Sequence, residues 1–398
     1  MNMHKHTIVA MPGDGIGRVV LTETIRVLEK AGFKASYVEG DIGWDFWVRE
    51  GNPLPRRTID LLEQHQIGLF GAITSKPKDA ASAELSPSLK GKGLVYSSPI
   101  VGLRQHFNLD VCIRPCRTYK GNPLNFIRRG PGGIIDEPEI DVVIFRQNTE
   151  GLYGGVEWTN PPDIVYRGLA SHPGFMKNFG DVPVEELSVS TRIFTKRATG
   201  RILRAAFGYA REHGYRSVTV CEKPNVIRET SGMMYKMARE IQSTEFTDIE
   251  LWNTNIDAQM MWLTKNPENY GVIVAGNMFG DIVSDGFAGL IGGLGFACSA
   301  NLGEKVSVFE PTHGSAPKYA GYPVSIVNPI AMMESACMML DHLGEKETAA
   351  GIRGSIARVI SKGKVRTYDM LKMPGRPDVI KQGAASTRQM ADAVIANL

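Results

Sequence analysis

The stretch His6-Thr7-Ile8-Val9-Ala10-Met11-Pro12-Gly13-Asp14-Gly15-Ile16-Gly17 is an apolar, β-favouring run that breaks at a proline and three glycines. Arg18–Ala31 follows with Val19, Val20, Ile25, Val27 and Leu28 on one stripe of a helical period. The pattern then recurs: Lys34–Glu39 predicts a strand, Arg57–Gln66 a helix and Ile67–Ala72 a short buried strand. Such alternation predicts an α/β fold on a largely parallel sheet. The turn itself invites a dinucleotide reading, with Glu39 as the ribose-binding acid. Its third glycine comes one residue too early for G-x-G-x-x-G, so a tight turn with structural glycines explains it equally well.

Further on, Val142–Arg146, Ser217–Cys221 and Val272–Gly276 predict strands, and Arg192–His213 predicts a long helix. Lys76–Tyr96 is rich in Ser, Pro, Lys and Gly and has no period, which predicts a long functional loop. Gly151–Pro183, full of Gly, Pro, Trp and Tyr, fits neither alternation nor a plain linker and suggests an excursion packed on another subunit. The small residues of Gly286–Gly303 predict close backbone approaches.

Composition narrows the function. The 398 residues are 43% hydrophobic, enough for a large core and for two or three structural units. A net charge of +3 without a basic, aromatic-interleaved run excludes a nucleic-acid footprint. Cys112, Cys116, Cys221, Cys298 and Cys337 are odd in number and scattered, so reduced thiols in a cytoplasmic protein are expected rather than disulfides or a zinc site. Met1–Gly13 is too short in apolar length for a signal peptide, and no apolar run reaches the roughly 18 residues of a membrane span. Ile330–Leu340, the most apolar helical stretch, is interrupted by Glu334.

Several constellations carry chemistry. Asp281-Ile282-Val283-Ser284-Asp285 follows a strand, and its i, i+4 spacing places both carboxylates on one helix face. With Ile282, Val283 and Phe287 beside them, the pair suits a hard divalent cation such as Mg²⁺ or Mn²⁺; a solvated acidic face is the alternative. Asp257 is a possible third ligand. Arg104, Arg114 and Arg146 lie near predicted strand or loop ends, where guanidinium groups would hold a multiply anionic substrate. Lys223, after a strand, could serve as a base, and Tyr153, in a glycine-rich loop, as a proton donor. Glu310–Gly321 combines small residues, turn signals and Lys318, as a phosphate nest would.

Together these segments resemble the decarboxylating dehydrogenases of the isocitrate/isopropylmalate family, closest in motifs to the NADP-type isocitrate enzymes. The resemblance rests on Gly13–Gly17, Leu103-Arg104 with Arg114-Pro115, Arg146–Tyr153, Lys223-Pro224-Asn225, Gly280–Asp285 and His313–Pro317, in order from Pro12 to about Tyr368. It implies an α/β fold that is not a Rossmann fold. One domain would comprise residues 1–109 and 292–398, the other 110–150 and 190–291, with an intersubunit clasp at 151–189. It further implies a homodimer with shared sites. Asp281, Asp285 and Asp257 would bind the metal, with Asp257 and Lys223 coming from the other subunit. Lys223 and Tyr153 would move protons. Ser98, Arg104, Arg114 and Arg146 would bind a small 2-hydroxy di- or tricarboxylate. The nicotinamide cofactor would lie along His313, Gly314, Ser315, Ala316, Lys318, Tyr319, Asn328, Tyr368 and Lys372. Lys318, Tyr319 and Tyr368 point to NADP, with NAD possible.

Two departures bear on the substrate. Isocitrate enzymes of this family carry Ser-x-Asn ahead of the first substrate arginine, whereas this chain has Ser98-Pro99-Ile100. An apolar residue there is similar to isopropylmalate enzymes, while Lys90 and Lys92 favour an anionic substituent. Oxidative decarboxylation of isocitrate to 2-oxoglutarate is the expected reaction. Isopropylmalate, homoisocitrate or another 3-substituted malate are alternatives within the class. A non-catalytic regulatory subunit is the alternative outside it, although such a subunit would be expected to lack part of the Lys223, Tyr153, Asp257, Asp281 and Asp285 set.

Overall fold

The computed structural model describes residues 6–398; the first five positions of the Met1–Gly13 stretch lie outside the described residues. Ten strands make the central sheet. They are β1 (His6–Gly13), β2 (Ala35–Glu39), β3 (Ile67–Ala72), β4 (Val111–Arg117), β5 (Asp141–Gln147), β6 (Ser217–Glu222), β7 (Glu250–Asn255), β8 (Val272–Ala275), β9 (Cys298–Leu302) and β10 (Ser307–Pro311). Their spatial order is β7-β6-β8-β5-β4-β9-β10-β3-β1-β2. Outer neighbours run parallel, as the alternation predicts. The middle departs from that expectation: β5/β4, β4/β9 and β9/β10 are antiparallel. One half of the sheet therefore comes from residues 111–275 and the other from the two flanking parts of the chain. They meet where Ala300 pairs with Ile113, Asn301 with Cys112 and Leu302 with Val111.

The inner strands are buried on both faces, so they read as continuous apolar runs: Val142, Val143, Ile144 and Phe145 are all at most 1% exposed, whereas the edge strands β2 and β7 are not buried. The Ile330–His342 helix is almost wholly buried because helices cover both of its sides; Glu334 is tolerated there by bonds to Tyr119 and Arg353. Among the described residues no helix is long and apolar enough to cross a membrane. All five cysteines are buried and free.

Boundaries moved where a cap decides. The helix expected from Arg192 starts at Lys196, because Thr195 Oγ1 caps Ala198 N–H at 3.2 Å. Ile193 is taken instead by a bridge to Gly151. The Lys76–Tyr96 loop contains one short helix, Lys78–Ala83, pinned by Trp47 Nε1 donating to the Ala81 carbonyl at 2.8 Å. Residues 151–190 form a small ribbon, Glu157–Thr159 with Ser188–Ser190, and two short helices with no buried residue.

Candidate active site

The Asn277–Ile291 helix starts directly after β8. Its inner face includes Val283, Ser284 and Phe287, so the helix is partly buried as expected; Ile282 is the exception, 42% exposed. Gly280 packs against β5 so closely that a Cβ would come within 2.8 Å of the Arg146 side chain. That approach lays Asp281 beside the strand-borne arginines. Arg114 Nη1 lies 3.1 Å from Asp281 Oδ1 and 3.4 Å from Asp285 Oδ1, and donates to Ser284 Oγ at 2.7 Å. Arg146 pairs with the same Asp281 oxygen and donates from Nε and Nη2 to Asn277 Oδ1 at 3.0 and 2.8 Å. The charge repulsion expected between the two aspartates is thus already relieved by guanidinium groups.

The electrostatics follow from burial. Partial burial pushes the Asp285 carboxyl up, Arg114 opposes this, and Asp281 adds to it. Burial works against the Arg114 charge, but its acidic neighbours, Asp281 and Asp285 among them, outweigh it and raise its pKa. For Arg146, burial and then the like charge of Arg114 lower the pKa to about 10, which leaves it charged at neutral pH. Arg104, on the Pro99–His106 helix, pairs with Glu310 of β10 at 2.9 Å, and Asn301 Nδ2 donates to the same Glu310 oxygen at 2.8 Å. The Nε atoms of Arg104 and Arg114 are buried without a partner. Such orphaned donors are costly unless a ligand satisfies them, so they suit an anion. Tyr153 is 53% exposed, and its ring centre lies 5.8 Å from the Arg146 guanidinium carbon.

Ser98 precedes the Arg104 helix and makes no capping bond with its side chain. Ile100 is 9% exposed and belongs to the core cluster that includes Val9, Phe70 and Leu103. Lys223, just beyond β6, pairs with Asp257 at the start of the Ile256–Leu263 helix. That bond to Lys223 is the main cause of the lowered Asp257 pKa. This pair does not join Asp281 and Asp285: among the described residues no three His, Cys, Asp or Glu side chains are grouped to hold a metal. Asp281 and Asp285 are two carboxylates whose oxygen donors suit Mg²⁺ or Mn²⁺.

The expected cofactor loop leaves β10 and is held from below. Ile16 N–H donates to the Ser315 carbonyl at 2.9 Å, and a Cβ on Gly15 would sit 2.2 Å from that oxygen. Asp14 accepts from the Trp44 and Thr74 amides, both at 2.8 Å, while Thr74 Oγ1 meets Ser315 Oγ at 2.6 Å. The Gly13–Gly17 turn is therefore a brace for Ser315. Beyond it, Lys318 Nζ lies 5.6 Å from the Tyr319 ring, and Tyr319 meets Tyr368 at 5.6 Å. Asn328 Nδ2 donates to Asp369 Oδ2 at 3.1 Å, and Lys372 is exposed nearby in chain order, with a left-handed φ of 54°. Gly314 is exposed and Ala316 takes a left-handed φ of 38°. His313 Nε2, Thr312 Oγ1 and Asp369 Oδ1 are buried without partners, which fits a polar ligand along this loop.

Sequence reasoning missed Glu310 as the partner of Arg104, and also Asn277 and Ser284. It missed Glu222, 0% exposed, which accepts from Arg192, Ser231 and the Gly276 amide. Their signal, a polar residue inside or next to an apolar strand, is too common to single out.

An α/β sheet carrying converging arginines, paired aspartates and an exposed tyrosine defines an enzyme of small carboxylic acids. The chain belongs to the isocitrate/isopropylmalate dehydrogenase family, whose model matches residues 7–394, and it is a decarboxylating dehydrogenase of 3-substituted malates. It is 38% identical to Protein DlpA of Legionella pneumophila over 98% of this chain, and spans only 58% of that protein's length. It is 33% identical to the 3-isopropylmalate dehydrogenase of Methanothermobacter thermautotrophicus over 98% of this chain and 100% of the relative. The crystal structure of isocitrate dehydrogenase from Methylococcus capsulatus superposes with a TM-score of 0.79 at 32% identity, covering 98% of this chain and 99% of that one. Enzymes of this family use a nicotinamide cofactor and a divalent metal.

Proposed function

We propose that the protein oxidises and decarboxylates isocitrate to 2-oxoglutarate and CO₂ with NADP as acceptor, acting as a homodimer in the cytoplasm. The observation that carries this reading is the convergence of Arg104, Arg114 and Arg146, two of them with buried unpartnered Nε atoms. Three guanidinium groups suit a substrate with several carboxylates, and a third carboxylate would use all of them. Ile100 does not oppose it, because its side chain is packed in the core. The exposed Val101 one position on favours the second reading, a substrate with an apolar substituent such as isopropylmalate.

Asp281 and Asp285, with Asp257 of the partner subunit, would hold Mg²⁺ or Mn²⁺. Bound there, the ion would supply Lewis acidity to the substrate's 2-hydroxyl, and NADP would supply the hydride acceptor. Arg114 and Arg146, which share the Asp281 carboxylate, would hold substrate carboxylates, and Arg104 would hold another. Lys223, as the neutral amine, would accept the 2-hydroxyl proton, and Asp257 would pair with the ammonium so formed. Tyr153 delivers a proton to C3 after CO₂ leaves. Ser98 hydrogen-bonds the substrate's C3 substituent. His313 to Ala316 with Asn328 hold the cofactor, and Lys318, Tyr319, Tyr368 and Lys372 face its 2′-phosphate. The chain would divide at 109/110 and 291/292, with 151–189 as the clasp between subunits.

The test is a reduced-cofactor absorbance assay over isocitrate, homoisocitrate and isopropylmalate with Mg²⁺ or Mn²⁺. The highest kcat/KM is expected with isocitrate; a higher value with isopropylmalate would replace this reading by the second.

A further inference from the structure

Side chains alternate across a strand, so the two faces of β4 and β9 do different things. Arg114, Cys112, Ser299 and Asn301 point to the front: Arg114 meets Asp281, Cys112 Sγ lies 3.3 Å from Ser299 Oγ, and Asn148 donates to Asn301 at 2.7 Å. Ile113 and Pro115 of β4 and Ala300 and Leu302 of β9 instead form the floor of a rear cavity of about 960 Å³. It lies directly over the junction between the two halves of the sheet.

Its walls belong to different halves. Tyr209 and His213, stacked at 3.8 Å, stand at the end of the Lys196–His213 helix. Opposite are His342, 5.6 Å from the Phe309 ring, and Ala357 of the Lys346–Lys362 helix. Lys346 and Glu212 bridge the two walls at 3.4 Å. The two acids of the far wall share one cation, as Arg353 pairs with Glu334 at 3.2 Å and with Asp341 at 2.7 Å; counting Arg117, Lys120 and Lys346 with it, and Glu139 and Glu212 with the acids, the lining holds four cations and four acids. At the rim, Lys120 and Glu139 have no hydrogen-bond or ion-pair partner among the described residues, and their charges are opposite. The interior thus offers an apolar floor and ring faces with no net charge to spare. Concave, mostly apolar and ring-lined space of this size is what small-molecule sites look like.

We propose that the rear cavity is an effector site for an uncharged, largely apolar compound of one or two rings, and that its occupation weakens substrate binding at the front. The coupling follows from the position. Arg104 belongs to the half of the molecule built from the flanking parts of the chain, and Arg114 and Arg146 to the other. A substrate that drew these groups together would turn the halves about the β4/β9 junction and spread the rear walls. A ligand touching both walls at their present spacing opposes that rotation, and linkage makes the antagonism mutual. The coupling rests on the proposed reading of the front site; the binding does not.

The experiment titrates the full chain with N-phenyl-1-naphthylamine, an uncharged two-ring fluorophore that brightens in apolar surroundings. Saturable one-site binding is expected. Ala357→Trp, which fills the cavity from its wall, should weaken it at least tenfold, and His213→Ala, at an exposed helix end, about threefold. Thermal unfolding of both variants is compared with that of the unmodified chain. Affinity left unchanged by both variants overturns the site, as does tighter binding of the sulfonated analogue, which would mark an anion site. Saturating isocitrate with Mg²⁺ should weaken the fluorophore several-fold. If isocitrate is turned over yet leaves that affinity unchanged, the coupling is wrong while the binding site stands.

Discussion

Arg114 Nη1 lies 3.1 Å from Asp281 Oδ1, so a substrate-binding cation and a metal-binding anion of the proposed site neutralise one another within a single chain. Neither is idle before ligands arrive. Arg114 and Arg146 both reach Asp281 through the same oxygen, Oδ1, so the two proposed roles are coupled at one carboxylate.

Activity is therefore expected to vanish with a chelator and to return with Mg²⁺ or Mn²⁺. Asp281→Asn should lower kcat/KM by about 10²-fold or more, the scale of losing a metal ligand or an electrostatic stabiliser. Full turnover by metal-stripped protein would contradict the assignment.

Proton transfer should separate into two steps. Lys223→Met is expected to stop hydride transfer, with a loss of roughly 10²–10⁴-fold for a missing general base. Tyr153→Phe should leave hydride transfer largely intact and slow protonation at C3. Single-turnover absorbance compared with isotope incorporation at C3 reads the two steps apart; wild-type rates in both variants would remove both roles.

Assembly can be tested by complementation. If Lys223 and Asp257 complete the other subunit's site, mixing Lys223→Met with Asp281→Asn leaves one clean site in each hybrid dimer. Random exchange should then restore about one quarter of the unmodified activity, by the symmetry of a two-fold dimer. No recovery despite demonstrated subunit exchange would count against a shared site.

Cofactor choice should follow the Lys318 and Tyr319 pair. Replacing Lys318 by Asp and Tyr319 by Ile is expected to raise KM for NADP at least tenfold and to change KM for NAD little, because the 2′-phosphate loses its cation and hydroxyl donor. Lys372 keeps charge but not a bidentate fork, so the native preference for NADP should be moderate. A higher kcat/KM with NAD in the unmodified enzyme would reverse this assignment.

Glu222 is a test of the scaffold. It is 0% exposed and joins Arg192, Ser231 and the Gly276 amide that opens the Asp281 helix. Glu222→Ala should cost about 3–5 kcal/mol, the usual penalty for stranding a buried ionic partner. Denaturant unfolding measures it; a loss below about 1 kcal/mol would mean water replaces the carboxylate.

The sequence by itself determined what depends on short-range periodicity. Apolar runs and helical stripes marked six of the ten strands of the central sheet and several of the longer helices, and i, i+4 spacing put Asp281 and Asp285 on one face. Capping chemistry moved a helix start by four residues, from Arg192 to Lys196, because Thr195 competes locally. The order of motifs along the chain was enough to reveal the family. Only the tertiary structure decided what stands opposite these residues. Arg114 and Arg146 reach Asp281 across 167 and 135 residues of chain, through a sheet order in which β4 and β9 run antiparallel to their neighbours. It also decided that Ile100 turns into the core, that the Gly13–Gly17 turn braces Ser315, and that Asp257 stands with Lys223 rather than with Asp281. The physical reason is that a local period fixes which face of an element a side chain takes. What that face meets is settled by the burial of the whole sheet, to which every strand contributes.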